Sequence, residues 1–474
     1  MFVKIPVIIQ GGMGAGVSGW GLAQAVSRLG QLGVVAGTAL DEILARRLQE
    51  GDPGGHMRRA LEHFPMRRMA QSIIDQYFIS GGKSPNAPFR TRKLPSLEGN
   101  RESTELCIAG NFVEVFLARE GHDNPVGINY LEKIQFPHLP SIYGAMLAGV
   151  AVIIMGAGIP LEIPDAIDAL LENQPAAYTV NVTGAARNAG YRMKFDPKAF
   201  LEEGPPATLR RPAFLPIVSS VTLANVLIRK TGGRLAGFVV EGPLAGGHNA
   251  PPRGAPVMTD DGQPIYGPRD VIDLPSIAKL GLPFWLAGCY GSPEGLHKAR
   301  AAGAAGIQVG TAFALCRESS LKPSARQALI RKALTGKARI FTDPIASPTG
   351  FPFKVAALEG TLSEQDVYEK RQRICDLGFL RDFYLRPDGK IGYRCPAEPI
   401  PAFLAKGGKL ESTIGRKCLC NSLVANIGLP QIMADGSKEK CLVTLGDDFS
   451  NIGRFCSLDN TDYSAADVIR IISG

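Results

Sequence analysis

Leu235-Ala-Gly-Phe-Val-Val-Glu-Gly-Pro-Leu-Ala-Gly-Gly-His248 sets a short apolar run directly before a glycine turn that ends in histidine. The run reads as a buried strand. The Gly246-Gly247 pair lets the backbone come close to a bound ligand, and His248 can take a proton near neutral pH. A buried histidine that is only hydrogen-bonded structure would look the same in isolation. What adds meaning is the order of motifs downstream. Pro283-Phe-Trp-Leu-Ala-Gly-Cys-Tyr-Gly291 and Gly306-Ile-Gln-Val-Gly-Thr311 each repeat the pattern of apolar strand and glycine turn. Helical segments are expected after them at Pro293–Ala302 and Ser319–Leu334. Backbone N–H groups at such turns, backed by a helix N-terminus, make a phosphate site. In a (β/α)8 barrel the loops after the last two strands commonly hold a phosphate.

Working outward, eight strand candidates appear in order: Pro6–Gln10, Gly33–Gly37, Val126–Asn129, Val150–Met155, Phe214–Ser219, Gly237–Glu241, Phe284–Ala287 and Gly306–Val309. Helical patterns separate most of them, including Trp20–Leu29, Glu105–Arg119, Ile163–Leu171 and Val221–Lys230. Short apolar strands alternating with amphipathic helices predict a parallel sheet with helices outside, an α/β (β/α)8 TIM barrel. Two insertions interrupt the alternation. Residues 41–104 hold helical stretches at Asp41–Gln49 and Met57–Tyr77. Residues 173–213 hold a hairpin, Ala177–Val182 and Tyr191–Phe195, turning through Gly184–Gly190. Both are expected at strand–helix junctions. The proline-rich loop after His248, with Arg253, is expected to wall or cover the site. The expected organisation is a barrel over 1–334 and a C-terminal extension over 335–474 that packs back onto it.

At this point the chain resembles a known family. Val7-Ile-Ile-Gln-Gly-Gly-Met13, the Ala-Gly-Gly-His248 turn and Gln308-Val-Gly-Thr311 are similar to the nitronate monooxygenases, formerly 2-nitropropane dioxygenases. FMN-dependent enoyl-ACP reductases of type II share the pattern. Asn129, in Pro125-Val-Gly-Ile-Asn-Tyr130, matches that family's strand-end asparagine. The resemblance implies FMN, with its phosphate on the N–H groups of Gly288, Cys289, Gly310 and Thr311. Gly12 and Met13 would meet the ring through backbone, Asn129 and Gln308 through side-chain amides, with Gly247 and Val309 beside them. Cys289 departs from the family's second glycine there and must avoid a positive φ or be strained. His248 would be the base toward a nitroalkane or nitronate, with electrons passing to dioxygen. The alternative is reduction of an enoyl thioester, with NAD(P)H as co-substrate. A flavin-free phosphate-binding barrel, acting as an isomerase or lyase, uses the same turns differently.

Composition bounds the rest. The 474 residues are 45% hydrophobic and 20% charged, enough for a large core. A net charge of +8 would suit an acidic acyl carrier protein, but the basic pairs Arg58-Arg59, Arg67-Arg68 and Arg210-Arg211 carry no nucleic-acid motif. The N-terminus has no charged leader region, and Leu139–Leu161, though uncharged, is broken by prolines and glycines. It reads as a barrel helix followed by a strand, so a cytoplasmic protein away from membranes is expected. Nine cysteines without a leader fit a reducing compartment. Cys375, Cys395, Cys418 and Cys420 could in principle bind zinc or an iron–sulfur cluster. They lack Cys-x2-Cys spacing, however, and no metal is the expectation.

Overall fold

The computed structural model describes residues 4–186, 189–202 and 208–474. The first three residues, part of the Gly184–Gly190 turn and residues 203–207 of the second insertion lie outside this set. Eight strands form one parallel sheet: β1 (Ile8–Gln10), β2 (Gly33–Ala36), β3 (Val126–Leu131), β4 (Val152–Gly156), β5 (Ala213–Val218), β6 (Phe238–Glu241), β7 (Phe284–Ala287) and β8 (Gly306–Val309). All eight fall on the segments expected from sequence. Neighbours pair in chain order, and β8 returns to pair with β1, Ile8 opposite Ile307. The seam between β1 and β2 is short, with a single bridge from Ile9 to Leu32. There the buried Gln10 side chain extends the ladder: Oε1 accepts from Val34 N–H at 3.0 Å and Nε2 donates to Ser18 Oγ at 2.9 Å. The fold is a closed (β/α)8 barrel.

The strands are apolar on both faces because both faces are covered. Ile9, Val34, Val152, Ile154, Leu215, Val239 and Trp285 fill the barrel's interior. Trp285 Nε1 reaches the Pro6 carbonyl at 2.8 Å, which satisfies the one polar atom of that ring. The opposite strand faces meet the helices in the main core.

Three local expectations change. Met57–Tyr77 is two helices, His56–Leu61 and Arg67–Tyr77, because Pro65 interrupts the helical hydrogen bonding between them. The helix expected at Ser319–Leu334 begins at Pro323, and a separate short helix, Thr311–Ala314, starts at the β8 turn itself. The second insertion lies at a helix–strand junction, between Ile163–Leu171 and β5. Its hairpin pairs Ala176–Thr179 with Arg192–Phe195, and Val182–Thr183 then adds a parallel strand to Asp382–Leu385 far along the chain. The stretch Leu139–Leu161 holds the helix His138–Leu147 and strand β4, and among the described residues no helix is long and apolar enough to cross a membrane.

The last 140 residues do not form a thin-cored appendage. Leu377, Phe379, Leu419, Val424, Leu442 and Val443 are buried in the same apolar cluster as the barrel helices. The final helix, Ala465–Ser473, packs against Trp20–Arg28 and Pro293–Ala301 and so fills a place in the barrel's outer ring. Tyr463 Oη donates to the Ala312 carbonyl at 2.8 Å, and Glu318 Oε2 accepts from Ala465 N–H at 2.8 Å. Ser464 and Asp467 cap the helix reciprocally, which sets where it starts.

Candidate functional site

The C-terminal ends of the strands open into one cavity of about 1500 Å³, its mouth included. Gly12, Met13, Asn129, Gly247, His248, Gly288, Cys289, Gln308, Val309, Gly310 and Thr311 all line it. Residues spread across almost three hundred positions meet here because parallel strands point the same end of every turn to one face. At Gly12 a Cβ would come within 2.4 Å of the Asn129 Cβ, so only glycine lets the β1 turn pass beside that asparagine. Met13 differs from expectation. Its N–H donates to Ser18 Oγ at 3.0 Å and its carbonyl accepts from Ser18 N–H, so it presents its side chain, not its backbone, to the cavity.

The β7 and β8 turns form the polar end. Gly288 has φ +97° and Cys289 φ +62°. Cys289 therefore adopts the left-handed conformation that disfavours a side chain, a strain of about 1–2 kcal/mol of the kind found at ligand-binding turns. At Gly310 a Cβ would meet nothing nearer than Met13 Sδ at 3.7 Å, so the space beside it belongs to the cavity. The N–H groups of Cys289, Gly310 and Thr311 have no partner among the described residues. Gln308 Oε1 is buried with no hydrogen-bond partner. Unpaired donors at one end and an orphaned amide oxygen along the wall fit a phosphorylated, ring-bearing cofactor such as FMN.

The extension supplies groups that sequence reasoning missed. Thr444–Asp448 lies across the turns: Thr444 Oγ1 accepts from Gly247 N–H at 2.9 Å, Gly446 N–H donates to Thr311 Oγ1 at 3.1 Å, and Asp448 Oδ2 accepts from Gly291 N–H at 3.3 Å. Burial raises the Asp448 carboxyl above its ordinary value, against the hydrogen bonds from Asn451 and Gly291. Among the described residues no lysine or arginine lines this cavity, so an anion would be held by N–H groups and hydroxyls. The proline-punctuated segment Phe341–Phe353 forms the turn and strands of a hairpin that pairs Ile340–Asp343 with Phe353–Ala356. It meets His248 directly.

His248 Nε2 lies 2.7 Å from Ser347 Oγ, its ring stands edge-on to Phe353, and its backbone bridges to Phe353. Burial lowers its pKa to about 4, so the imidazole is neutral at pH 7. Glu241, at the end of β6, was quoted in the motif but given no role. Its carboxyl makes no hydrogen bond or ion pair among the described residues, and burial raises its pKa to about 8. A second cavity of about 940 Å³, mouth included, shares Ala157, Ile217, Glu241 and His248 with the first. The loop after His248 walls it. Arg253 there donates to the carbonyls of Arg269 at 2.6 Å and Ser219 at 2.7 Å, which ties the loop down.

Cys375, Cys395, Cys418 and Cys420 converge as free thiols on a small apolar pocket that adjoins the main cavity, which Cys420 also lines. Burial raises all four, and buried protonated thiols are inert. Among the described residues no group of three or more His, Cys, Asp or Glu is arranged to hold a metal ion.

Over residues 211–341, which hold strands β5 to β8, the chain matches the family model described as nitronate monooxygenase. No curated protein matches the chain. Three of the solved structures that resemble it are the following. FabK from Thermotoga maritima is 16% identical, with 99% of this chain and 91% of that chain covered and a TM-score of 0.46. A nitroalkane oxidase from Streptomyces ansochromogenes is 14% identical, covering 99% and 94%, with a TM-score of 0.47. The enoyl reductase domain of MlnA from the macrolactin biosynthesis cluster of Bacillus amyloliquefaciens is 12% identical, covering 75% and 64%, with a TM-score of 0.38.

Proposed function

We infer that this protein is an FMN-dependent oxidoreductase of the nitronate monooxygenase type that reduces the double bond of an unsaturated acyl thioester, with NAD(P)H as electron source. The observation that carries this reading is the meeting of two cavities, about 1500 and 940 Å³ with their mouths, at the ring of His248. The second cavity joins the first past Glu241 and His248, a continuous path that an elongated acyl group would use and a nitronate of a few atoms would not need. FMN, when bound, supplies the two-electron chemistry. Cys289, Gly310 and Thr311 would hold its phosphate, and Asn129 and Gln308 would fix the edge of its ring. His248, with Nε2 accepting from Ser347, would carry its proton on Nδ1 and hydrogen-bond the thioester carbonyl. Phe353 and Ser347 keep that ring in one orientation. The Pro-rich loop and the hairpin at 340–356 would exclude water from the reacting carbons.

The family match over 211–341 favours a second reading, oxidation of a nitronate with dioxygen and His248 as base. A histidine pushed down to about 4 is a weak base for a neutral nitroalkane, so this reading applies to the nitronate, which is already deprotonated. Anaerobic mixing separates the two, and a flavin-free isomerase or lyase as well. The purified protein should be yellow and release FMN rather than FAD on heating. NAD(P)H should bleach it and an enoyl thioester should restore the colour. Bleaching by a nitronate, with no response to NAD(P)H, would establish the second reading. A colourless protein that FMN cannot reconstitute would end both.

A further inference from the structure

Glu241 is the one acidic side chain shared by both cavities, and the carbonyl-facing histidine does not use it. The end of β6 aims it where a substrate spanning the two chambers must pass. Its freedom is unusual in this site. His248 is tied to Ser347, Asp448 to Gly291 and Asn451, and Arg253 to two carbonyls. Among the carboxylate, imidazole and guanidinium groups lining the two cavities, only Glu241 makes no hydrogen bond or ion pair with the described residues. We propose that Glu241 is the proton donor of this site, delivering the proton that completes reduction of the substrate's carbon–carbon double bond and recovering it through the second cavity.

This rests on the reductive reading above. The step balances as follows. FMN, when bound and with NAD(P)H as its reductant, would supply the hydride that one alkene carbon takes as the π bond breaks. The neighbouring carbon receives the proton from the Glu241 carboxyl, so two C–H bonds form. Once product has left the second cavity, the Glu241 carboxylate takes back a proton from solvent entering past Arg253 and Tyr266. The groups facing this position are His248, Arg253, Tyr266 and Asp270 from the second cavity, and Cys289, Tyr290 and Asp448 from the first. None of them shifts its ionisation; burial alone does, and it keeps the carboxyl protonated up to about pH 8. A carboxylic acid that still holds its proton at neutral pH is the form a donor requires.

The test uses the FMN-loaded protein and Glu241→Gln, with Glu241→Asp as the conservative variant. Reduction of the flavin by NAD(P)H should stay near wild type in both, which also reports folding and cofactor content. Reoxidation by crotonyl-CoA should slow by about 10²–10⁴-fold in Glu241→Gln and recover partly in Glu241→Asp. In the protein without substrate, an infrared carboxylic-acid band should titrate away around pH 8 and be absent from Glu241→Gln. Reoxidation of Glu241→Gln at the wild-type rate, or absence of that band from the wild type, overturns the donor role alone. A wild type that NAD(P)H reduces but no enoyl thioester reoxidises overturns the substrate reading, and the donor role with it.

Discussion

If the last helix is a member of the barrel's outer ring, trimming its buried face should weaken the whole barrel. Val468 is fully buried and Ile472 is 1% exposed, one turn apart on the face that meets Trp20–Arg28 and Pro293–Ala301. Ile472→Ala removes three buried carbons and should cost about 2–5 kcal/mol. Val468→Ala removes two and should cost roughly 2 kcal/mol. Being neighbours, the two share a cavity and will not add perfectly, so about 4–6 kcal/mol is expected for the pair. Unfolding entropy of about 2.1 cal/mol/K per residue gives roughly 1 kcal/mol/K for 474 residues. Each kcal/mol is then worth about 1 °C, and the double variant should melt roughly 4–6 °C lower. The assay is calorimetric melting, with exposed Arg470→Ala as a control expected within about 1 °C. An unchanged main transition in the double variant would show that the helix frays independently, and its place in the barrel ring would be wrong.

Three further outcomes follow from the site. Cys289→Gly should leave stability within about 1 kcal/mol, since relieved strain offsets the entropy glycine adds to the unfolded chain, whereas Cys289→Val should cost more than about 2 kcal/mol and lower FMN content; equal melting of the two would mean φ is not positive there. Gly310→Val should fold and lose FMN, because its side chain would occupy cavity space beside the phosphate donors, and retention of one flavin per chain would put the phosphate elsewhere. His248 holds a pKa of about 4 against 6.5 when unfolded, so its neutral form contributes stability above pH 6.5 that is lost as pH falls toward 4. Wild type should therefore lose stability across that window more steeply than His248→Gln, in denaturant titrations at each pH, while the variant also loses about 10²–10⁴-fold in turnover; parallel pH slopes would contradict the burial of the imidazole.

Much of the barrel is legible along the chain because its information is local. Strands buried on both faces need continuous apolar runs, and turns at their ends need glycine, so Val239-Val240, Trp285-Leu286 and Ile307-Gln308-Val309 announce themselves with their glycine turns. The eleven expected site residues reach one cavity for the same reason: each sits near or past the C-terminal end of a strand whose direction is set by the parallel sheet. The strained Cys289 could be foreseen as a conflict between residue and turn, but its positive φ is a property of the folded turn.

What lies beyond the sequence depends on contacts between distant segments. Ser347 and Phe353 belong to a stretch with no periodicity, yet they orient His248 from about a hundred residues away. Thr444–Asp448 reads as an ordinary Gly-Asp turn, and only its position over Gly247, Gly291 and Thr311 makes it part of the site. The final helix shows an amphipathic pattern that calls for a partner without naming one. Glu241 looks like any strand-end residue in the sequence, and only the two cavities that meet at it set it apart. A residue's own chemistry and its near neighbours settle whether it lies in a strand or a turn. Its desolvation and its hydrogen-bond partners are set by whatever the rest of the chain packs against it, and no local pattern carries that.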